Sequence, residues 1–295
     1  MLPKLDQVTL CCIDTDHPGA GLRAVRLSQA QCQFARTLFL GPADFISRQT
    51  PGAEKIDFLP IPPFGKGPTY FRLLTGDLLE LFSTSHVLII EWDGYVLNGQ
   101  CWNPEFLKFD YIGAVWAEFP PPYRVGNGGF SMRSRRFLEI LSRPEIPALM
   151  PPDVAIDIAV CIGLRPMLEK EGIKFADEKT ASHFSFELAE GPRPTFGFHG
   201  VFNLCQVVPP GELQALLDML PPHNLEHRHT AHWIKGYAAR NRWREALTVL
   251  QKIESTFSEQ KVLEILSEIA DYDLEKANAA RHVIHGMGMS QEFPK

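Results

Sequence analysis

Two carboxylates lie two residues apart directly after the most apolar run of the chain. The run covers residues 87–90 (V-L-I-I), and Glu91 and Asp93 follow it at once. Unpaired charge is costly to bury, so packing does not explain the pair. Ligands of open α/β sheets bind outside the carboxyl ends of strands, and carboxylate oxygens suit Mg²⁺ or Mn²⁺. We therefore interpret Glu91 and Asp93 as metal ligands; the alternative is an ordinary acidic turn on the surface.

A single histidine, His199, stands among phenylalanines and glycines in the segment 196–200 (F-G-F-H-G). An imidazole is a good ligand for a divalent ion, and the neighbouring glycines leave the backbone around it open. We expect His199 to be the third metal ligand. The competing interpretation is a packed histidine whose nitrogens are satisfied by the protein.

Three glycines fall within four residues of the segment 125–131 (V-G-N-G-G-F-S). Glycine permits close approach of a ligand to the backbone. The segment has neither the lysine of a P-loop nor the spacing of a dinucleotide-binding G-x-G-x-x-G motif. Asn127, Gly128 and Gly129 are therefore candidate substrate contacts, with a tight β-turn as the alternative.

Two further carboxylates, Asp153 and Asp157, are spaced i,i+4 after Pro151 and Pro152. Proline favours the start of a helix and a carboxylate suits its first turn, so helix capping is one explanation of Asp153. A carboxylate can instead take the proton from an attacking hydroxyl, which makes Asp153 the candidate general base.

Strand and helix patterns alternate through the first ~100 residues, which predicts parallel strands joined by crossover helices. Such an arrangement places Glu91 and Asp93 at one edge of a sheet. The predicted strands cover residues 8–13, 37–40, 55–61, 87–90, 111–115 and 128–132. The predicted helices cover residues 22–34, 70–81, 134–141, 153–164 and 165–172.

The pattern changes after Pro209 and Pro210, beyond which only helical spacing occurs. We predict a domain boundary at this proline pair, with residues 1–208 forming an α/β domain and residues 209–295 a small all-helical domain. The helical domain is a candidate surface for a protein partner or for self-association. Its predicted helices cover residues 212–220, 230–239, 242–257, 258–270 and 274–285.

Composition limits the function classes. The chain has 295 residues, of which 45% are hydrophobic and 22% charged, as in a soluble globular protein. The net charge of −6 argues against a nucleic-acid binder held by a basic surface. Six cysteines form no C-x-x-C pair, and no apolar run is long enough to span a bilayer. Because the N-terminus also lacks a signal-peptide pattern, we expect a cytoplasmic protein.

Several segments together resemble a known family. In chain order they are S-H-V-L-I-I-E-W-D-G-Y-V (85–96), F-D-Y-I-G-A-V-W (109–116), V-G-N-G-G-F-S-M-R-S (125–134), P-D-V (152–154) and F-G-F-H-G (196–200). Over residues 5–205 the sequence is similar to an uncharacterised bacterial family of GT-A-type glycosyltransferase-like proteins. The resemblance implies a GT-A-like fold, a mixed sheet flanked by helices that is typical of nucleotide-diphospho-sugar transferases.

The resemblance also implies roles for single residues. The D-x-D motif of GT-A enzymes corresponds to Glu91 and Asp93, and their late histidine to His199, as ligands of Mn²⁺ or Mg²⁺. Because Glu91 departs from the aspartate of that motif, Asp93 is the firmer ligand. Residues 127–129 correspond to the acceptor side, and Asp153 to the general base. The residues implied in donor and nucleotide binding are Asp14, Thr15, Tyr70, Arg72 and Trp92.

The expected function is metal-dependent transfer of a sugar from a nucleotide-diphosphate sugar, such as a UDP-sugar, to the hydroxyl of a carbohydrate acceptor. Asp153 as base implies inversion at the anomeric carbon, and retention is the alternative if Asp153 only caps a helix. The expected setting is bacterial polysaccharide or glycoconjugate synthesis, in the cytoplasm or peripheral to the inner membrane. Two other classes stay open, a non-catalytic GT-A-like scaffold for the C-terminal helices and a nucleotidyltransferase on a similar fold.

Overall fold

The computed structural model describes residues 2–49, 55–63, 68–151, 153–188, 194–226 and 228–290. Backbone contacts divide the chain into two compact units, Met1–His199 and Gly200–Lys295. The domain boundary predicted between residues 208 and 209 lies nine residues further along the chain and stays a prediction.

The first unit is built on a six-stranded sheet of order β3-β2-β1-β4-β8-β5. The first four strands pair in parallel, whereas β8 runs antiparallel to both of its neighbours. The predicted mixed α/β sheet is thus confirmed. The strands are β1 (Lys4–Ile13), β2 (Gln33–Gly41), β3 (Asp57–Pro60), β4 (His86–Ile90), β5 (Tyr111–Ile112), β6 (Ala114–Val115), β7 (Val125–Gly126), β8 (Phe130–Ser134), β9 (Ser185–Phe186) and β10 (Gly197–Phe198).

The order of the strands reverses at β1. From β1 the chain proceeds outward to β2 and β3, then returns to place β4 on the other side of β1. Such a reversal opens a crevice at the carboxyl ends of the two central strands, where ligands of open α/β sheets bind. The residues that enter the loops at this point are Asp14, after β1, and Glu91, after β4.

Helices flank this sheet, and further helices make up the second unit. The α-helices are α1 (Pro18–Gln31), α2 (Ala43–Ile46), α3 (Pro68–Arg72), α4 (Arg135–Leu141), α5 (Ile156–Ile158), α6 (Arg165–Lys170), α7 (Glu178–Phe184), α8 (Leu204–Val207), α9 (Leu213–Met219), α10 (Pro222–Leu225), α11 (Arg228–Ala238), α12 (Trp243–Thr256), α13 (Glu259–Ser267) and α14 (Leu274–Ser290). Two π-helical segments, Leu73–Asp77 and Ala159–Gly163, continue α3 and α5.

Several predicted elements have other bounds in the structure, and three of them illustrate the differences. The helix expected over residues 22–34 begins at Pro18 and ends at Gln31, because Gln33 already pairs with β1 as the start of β2. The strand expected over residues 111–115 is divided into β5 and β6, which pair with different partners. The helix expected from Asp153 begins only at Ile156, so Asp153 lies in the turn before it.

An aromatic cluster fixes the last strand of the first unit. The rings of four phenylalanines are fully or almost fully buried, and in five of their six pairs the centroids lie between 5.2 and 6.2 Å apart; they are Phe106, Phe130, Phe184 and Phe196. Burial of each such ring stabilises the fold by roughly 1.5–3 kcal/mol. Gly197 of β10 packs directly on this cluster, since a Cβ atom there would lie 2.2 Å from the ring of Phe130.

The second unit is all-helical within its described residues, as predicted, and its five longest helices are α9 and α11–α14. Amphipathic spacing buries Trp233 and Tyr237 of α11 together with Leu250 and Ile253 of α12. None of the helices that the structure describes is long and apolar enough to cross a membrane.

Candidate metal centre

Glu91, Asp93 and His199 form a cluster at the carboxyl edge of the sheet, and one potential ligand atom from each lies within 4.8 Å of the others. The Nε2 atom of His199 is 3.6 Å from Oδ1 of Asp93 and 3.9 Å from Oε2 of Glu91. The side chains of Asp93 and His199 are 11% and 19% exposed, so the cluster is largely shielded from water yet not sealed. The three residues predicted as metal ligands are therefore brought together.

Two strand ends bring these side chains together. After β4 the backbone closes a tight turn, in which the amide nitrogens of Glu91 and Gly94 each donate to the other residue's carbonyl oxygen, at 3.2 and 3.1 Å. His199 directly follows β10, and its amide donates to the carbonyl oxygen of Phe186 in β9 at 3.0 Å. Because β9 and β10 are parallel, the residue after β9, Glu187, ends at the same edge as His199.

Glu187 is a member of the site that the sequence analysis missed. Its Oε1 accepts a hydrogen bond from Nδ1 of His199 at 2.7 Å, and its Oε2 accepts one from Nε1 of Trp116 at 2.7 Å. With the proton held on Nδ1, the lone pair of neutral His199 lies on Nε2, the atom that faces Asp93 and Glu91. The only sequence signal for Glu187 was a carboxylate after the short alternating segment 184–186 (F-S-F).

The charges of the cluster shift one another's pKa values. Burial raises the pKa of Asp93, an effect that His199 opposes and Glu91 reinforces. Burial lowers the pKa of His199, but the carboxylates of Asp93, Glu187 and Glu91 outweigh it and raise the pKa well above its usual value. Three carboxylates around one imidazole therefore favour a positive charge at this point of the site.

The donor set and the space around it fit a divalent cation. Two carboxylates and one imidazole are ligands that Mn²⁺ and Mg²⁺ accept, and Nε2 of His199 faces one oxygen of each carboxylate. The space depends on two glycines. A Cβ atom at Gly129 would lie 2.3 Å from Nε2 of His199, and one at Gly94 would lie 2.9 Å from Cδ2 of the same ring.

The loop after β1 joins the crevice from the other side. Oδ1 of Asp14 accepts hydrogen bonds from the amides of Asp16 and His17, and its Oδ2 accepts one from Nδ1 of His17 at 2.6 Å. The imidazole of His17 then packs against the indole of Trp92, with ring centroids 5.3 Å apart. His17, which was not predicted, thus connects Asp14 and Trp92, both of which were predicted as nucleotide contacts. Thr15, another predicted contact, lies half-buried in the same loop.

The two residues predicted on the helix before β4 differ in position. The hydroxyl of Tyr70 donates to Oε1 of Glu91 at 3.5 Å, so Tyr70 lies beside the cluster. The guanidinium of Arg72 is 76% exposed and forms an ion pair with Asp77 at 3.4 Å. Tyr70 therefore belongs to the site. Within the described residues, no contact connects Arg72 to the cluster.

The glycine segment forms a tight turn against the cluster. Asn127 is fully buried at a φ of 107°, and its Oδ1 accepts hydrogen bonds from the amides of Gly129 and Phe130 at 2.7 and 2.9 Å. A Cβ atom at Gly128 would lie 3.5 Å from the Cβ of Asp157. Of the two carboxylates spaced i,i+4, the structure thus brings Asp157 to the glycine pair.

Asp153, the predicted general base, is exposed in the turn before α5. No hydrogen bond or ion pair of the described residues connects it to Glu91, Asp93 or His199. The structure therefore does not place Asp153 in the cluster, and its role as base stays a prediction.

Residues 55–199, which include the metal-ligand candidates and Glu187, match the family described as Protein of unknown function (DUF5672). No curated protein matches the chain in sequence.

Solved structures similar to the chain include two distant likenesses in fold, both at low sequence identity. The mannosyltransferase PcManGT from Pyrobaculum calidifontis, in complex with GDP-Man and Mn²⁺, has a TM-score of 0.42 and 11% identity over 97% of this chain and 88% of that chain. The Mycobacterium tuberculosis rv0371c homolog from mycobacterium sp. strain JC1 has a TM-score of 0.35 and 10% identity over 58% of this chain and 84% of that chain. Likenesses of this strength assign neither a ligand nor an activity.

Proposed function

We propose that this chain is a metal-dependent glycosyltransferase that uses a nucleotide-diphosphate sugar as donor. The observation that carries the proposal is the position of the cluster of Glu91, Asp93 and His199 beside the strand reversal between β1 and β4. Such a crevice is where open α/β sheets bind nucleotides, and a divalent cation held there by two carboxylates suits diphosphate oxygens. The sequence resemblance to GT-A-type proteins supports the same class.

Asp93, His199 and Glu91 would hold the cation. When bound, it would neutralise the negative charge that develops on the leaving nucleoside diphosphate. Glu187 keeps the proton of His199 on Nδ1, so that Nε2 stays available as a ligand, and Trp116 fixes Glu187 in turn. Gly128 and Gly129 let a sugar approach the backbone next to the ligands.

The loop that carries Asp14 and Thr15 and the indole of Trp92 would border the nucleotide. Asp14 would act indirectly, because both of its carboxylate oxygens are already used to hold the loop and His17. An inverting course with Asp153 as base, a UDP-linked donor and a role in polysaccharide synthesis remain parts of the proposal that rest on the sequence resemblance alone.

The test is a search for products with purified protein, Mn²⁺ and a panel of UDP- and GDP-sugars. A glycosyltransferase releases nucleoside diphosphate and forms a glycoside, and Asp93→Ala should abolish both. A nucleotidyltransferase would instead release pyrophosphate from a nucleoside triphosphate and a sugar phosphate. A scaffold would bind none of these donors, which would overturn the proposal.

A further inference from the structure

A small pocket lies beside the glycine turn, and the proposed reaction does not use it. Its volume is about 10 Å³, which is room for about one water molecule. Most of its wall is apolar, and two of the groups that face it carry charge. The lining residues that matter here are Phe71, Thr75, Tyr111, Arg133, Asp157 and Cys161.

The positive charge in this pocket is a buried arginine without a carboxylate partner. Arg133 is 5% exposed, and its guanidinium donates to Oγ of Ser131 at 3.2 Å and to the carbonyl oxygen of Gly128 at 3.3 Å. Within the described ranges no aspartate or glutamate forms an ion pair with it. A guanidinium has five N–H donors, and these two bonds involve its Nε and one terminal nitrogen.

The negative charge is Asp157. Its Oδ1 accepts a hydrogen bond from the amide of Ile158 at 2.9 Å, and Oδ2 has no hydrogen-bond partner among the residues that the structure describes. A Cβ atom at Gly128 would lie 3.5 Å from the Cβ of Asp157, and one at the next residue, Gly129, would lie 2.3 Å from Nε2 of His199, so Asp157 lies close to the metal centre. Two groups of opposite charge thus line one pocket without pairing with each other.

Irregular helices form part of the wall of this pocket. Thr75 belongs to the π-helical segment Leu73–Asp77, and Cys161 belongs to the second one, Ala159–Gly163. Single π-helical turns occur frequently at functional sites, because the extra residue changes the direction of nearby side chains. The hydroxyl of Thr75 already donates to the carbonyl oxygen of Phe71 at 2.9 Å, so it offers only lone pairs to the pocket.

We propose that this pocket is a subsite for one primary hydroxyl group of the sugar substrate. A hydroxyl both accepts and donates, so it can take a hydrogen bond from Arg133 and give one to Asp157 at the same time. The volume suits a single hydroxyl, and the apolar wall suits the CH₂ group that carries it. The inference rests on the proposed function, and it adds that the enzyme prefers a hexose to a sugar that lacks the hydroxymethyl arm.

The hydroxyl could belong to the donor or to the acceptor, and two arms of one binding experiment separate these sources. In the first arm, calorimetry with Mn²⁺ compares UDP-glucose with UDP-xylose and GDP-mannose with its 6-deoxy counterpart. In the second arm, methyl hexosides are compared with methyl xylosides in the presence of UDP or GDP. In one of the arms we expect the sugar with the hydroxymethyl group to bind about tenfold more tightly, as for a hydrogen bond to a charged group.

Variants link this preference to the pocket. Cys161→Met should fill the space and remove the preference, while the affinity for UDP or GDP with Mn²⁺ stays within about twofold. Cys101→Met, at a half-buried cysteine outside the lining residues, is the matched control and should keep the preference. If Cys161→Met fails to fold, Asp157→Asn keeps the shape of the side chain and should lower the preference severalfold.

The outcomes distinguish this inference from the proposed function. Equal binding of every sugar pair by the wild type, or a preference that survives both Cys161→Met and Asp157→Asn, overturns the subsite. Failure of UDP and GDP to bind with Mn²⁺ overturns the proposed function, and the methyl glycosides alone then decide the subsite. A preference confined to the first arm assigns the hydroxyl to the donor, and one confined to the second assigns it to the acceptor.

Discussion

Nδ1 of His199 lies 2.7 Å from Oε1 of Glu187, a residue twelve positions earlier in the chain. The bond exists because β9 and β10 are parallel and end at the same edge of the first unit. It fixes which ring nitrogen carries the proton and directs the other towards Asp93 and Glu91. The metal affinity of the cluster should therefore depend on a residue that does not itself bind the metal.

Replacing Glu187 tests this dependence. Glu187→Ala should weaken Mn²⁺ binding by about 10–100-fold, because partners that orient a histidine ligand contribute that much to metal affinity. The measurement is calorimetric titration of the purified chain with Mn²⁺. Glu139→Ala, at an exposed glutamate of α4, is the control and should leave the affinity unchanged. Equal affinities for wild type and Glu187→Ala would remove Glu187 from the site.

Gly129, one of the two glycines at the cluster, should not tolerate a methyl group, whereas Gly286, which faces open space, should. Gly129→Ala places a Cβ atom 2.3 Å from Nε2 of His199, so the ring must move and Mn²⁺ binding should fall at least about tenfold. Gly286→Ala in α14 meets nothing within 4 Å and should stabilise the helix by up to about 1 kcal/mol. Mn²⁺ titration and thermal unfolding of both variants test this pair. Unchanged Mn²⁺ binding by Gly129→Ala would contradict the described geometry.

Local patterns predicted the sheet and part of the cluster because they act over short distances. The apolar run before Glu91 identified β4. The two-residue spacing between Glu91 and Asp93 indicated two metal ligands without knowledge of the fold. His199 was predicted from its neighbours alone. These residues follow apolar strand segments, and the existence of such segments is what hydrophobic patterning indicates well.

Glu187 and His17 could not be predicted in the same way. Glu187 reaches the site only because two-residue strands pair, and such short strands leave no periodicity in the sequence. His17 depends on the side chain of Asp14, whose hydrogen bonds hold the loop after β1. Asp157 was noticed only as a neighbour of Asp153. Because α5 begins at Ile156, Asp157 lies in the helix beside the glycine turn and Asp153 lies in the turn before the helix.

Asp153→Asn should lower turnover by about 10²-fold or more, because the proposed inverting course uses this carboxylate as its general base. Steady-state rates with the donor that turns over best, together with the anomeric configuration of the product by NMR, provide the measurement. A change of less than about twofold, or a product of retained configuration, would contradict the role of Asp153 as base and fit a carboxylate that is merely exposed in the turn before α5.

The stability of the first unit should depend on pH through the protonation of His86. Burial lowers the pKa of His86, although the carbonyl of Phe109 and the charge of Asp110 oppose this. The unfolded chain therefore takes up a proton at a higher pH than the folded chain, so stability is lost as the pH falls below about 6.5.

His86→Gln removes this contribution. When the pH is lowered from about 7 to about 5, the wild type should lose more unfolding free energy than His86→Gln. The difference should reach up to about 1 kcal/mol, as measured by urea denaturation at both pH values. His282→Gln, at an exposed histidine of α14, is the control and should follow the wild type. Parallel curves for wild type and His86→Gln would contradict the prediction.

The central claim is that Glu91, Asp93 and His199 bind a divalent cation that in turn binds a nucleotide-diphosphate sugar. Its most direct test is thermal unfolding with UDP- and GDP-sugars, in the presence and absence of Mn²⁺, for the wild type and for the double variant Asp93→Ala, His199→Ala. We expect at least one donor to raise the unfolding temperature of the wild type only when Mn²⁺ is present, and none to do so for the double variant. Stabilisation that persists in the double variant, or that no donor produces in the wild type, would contradict the claim.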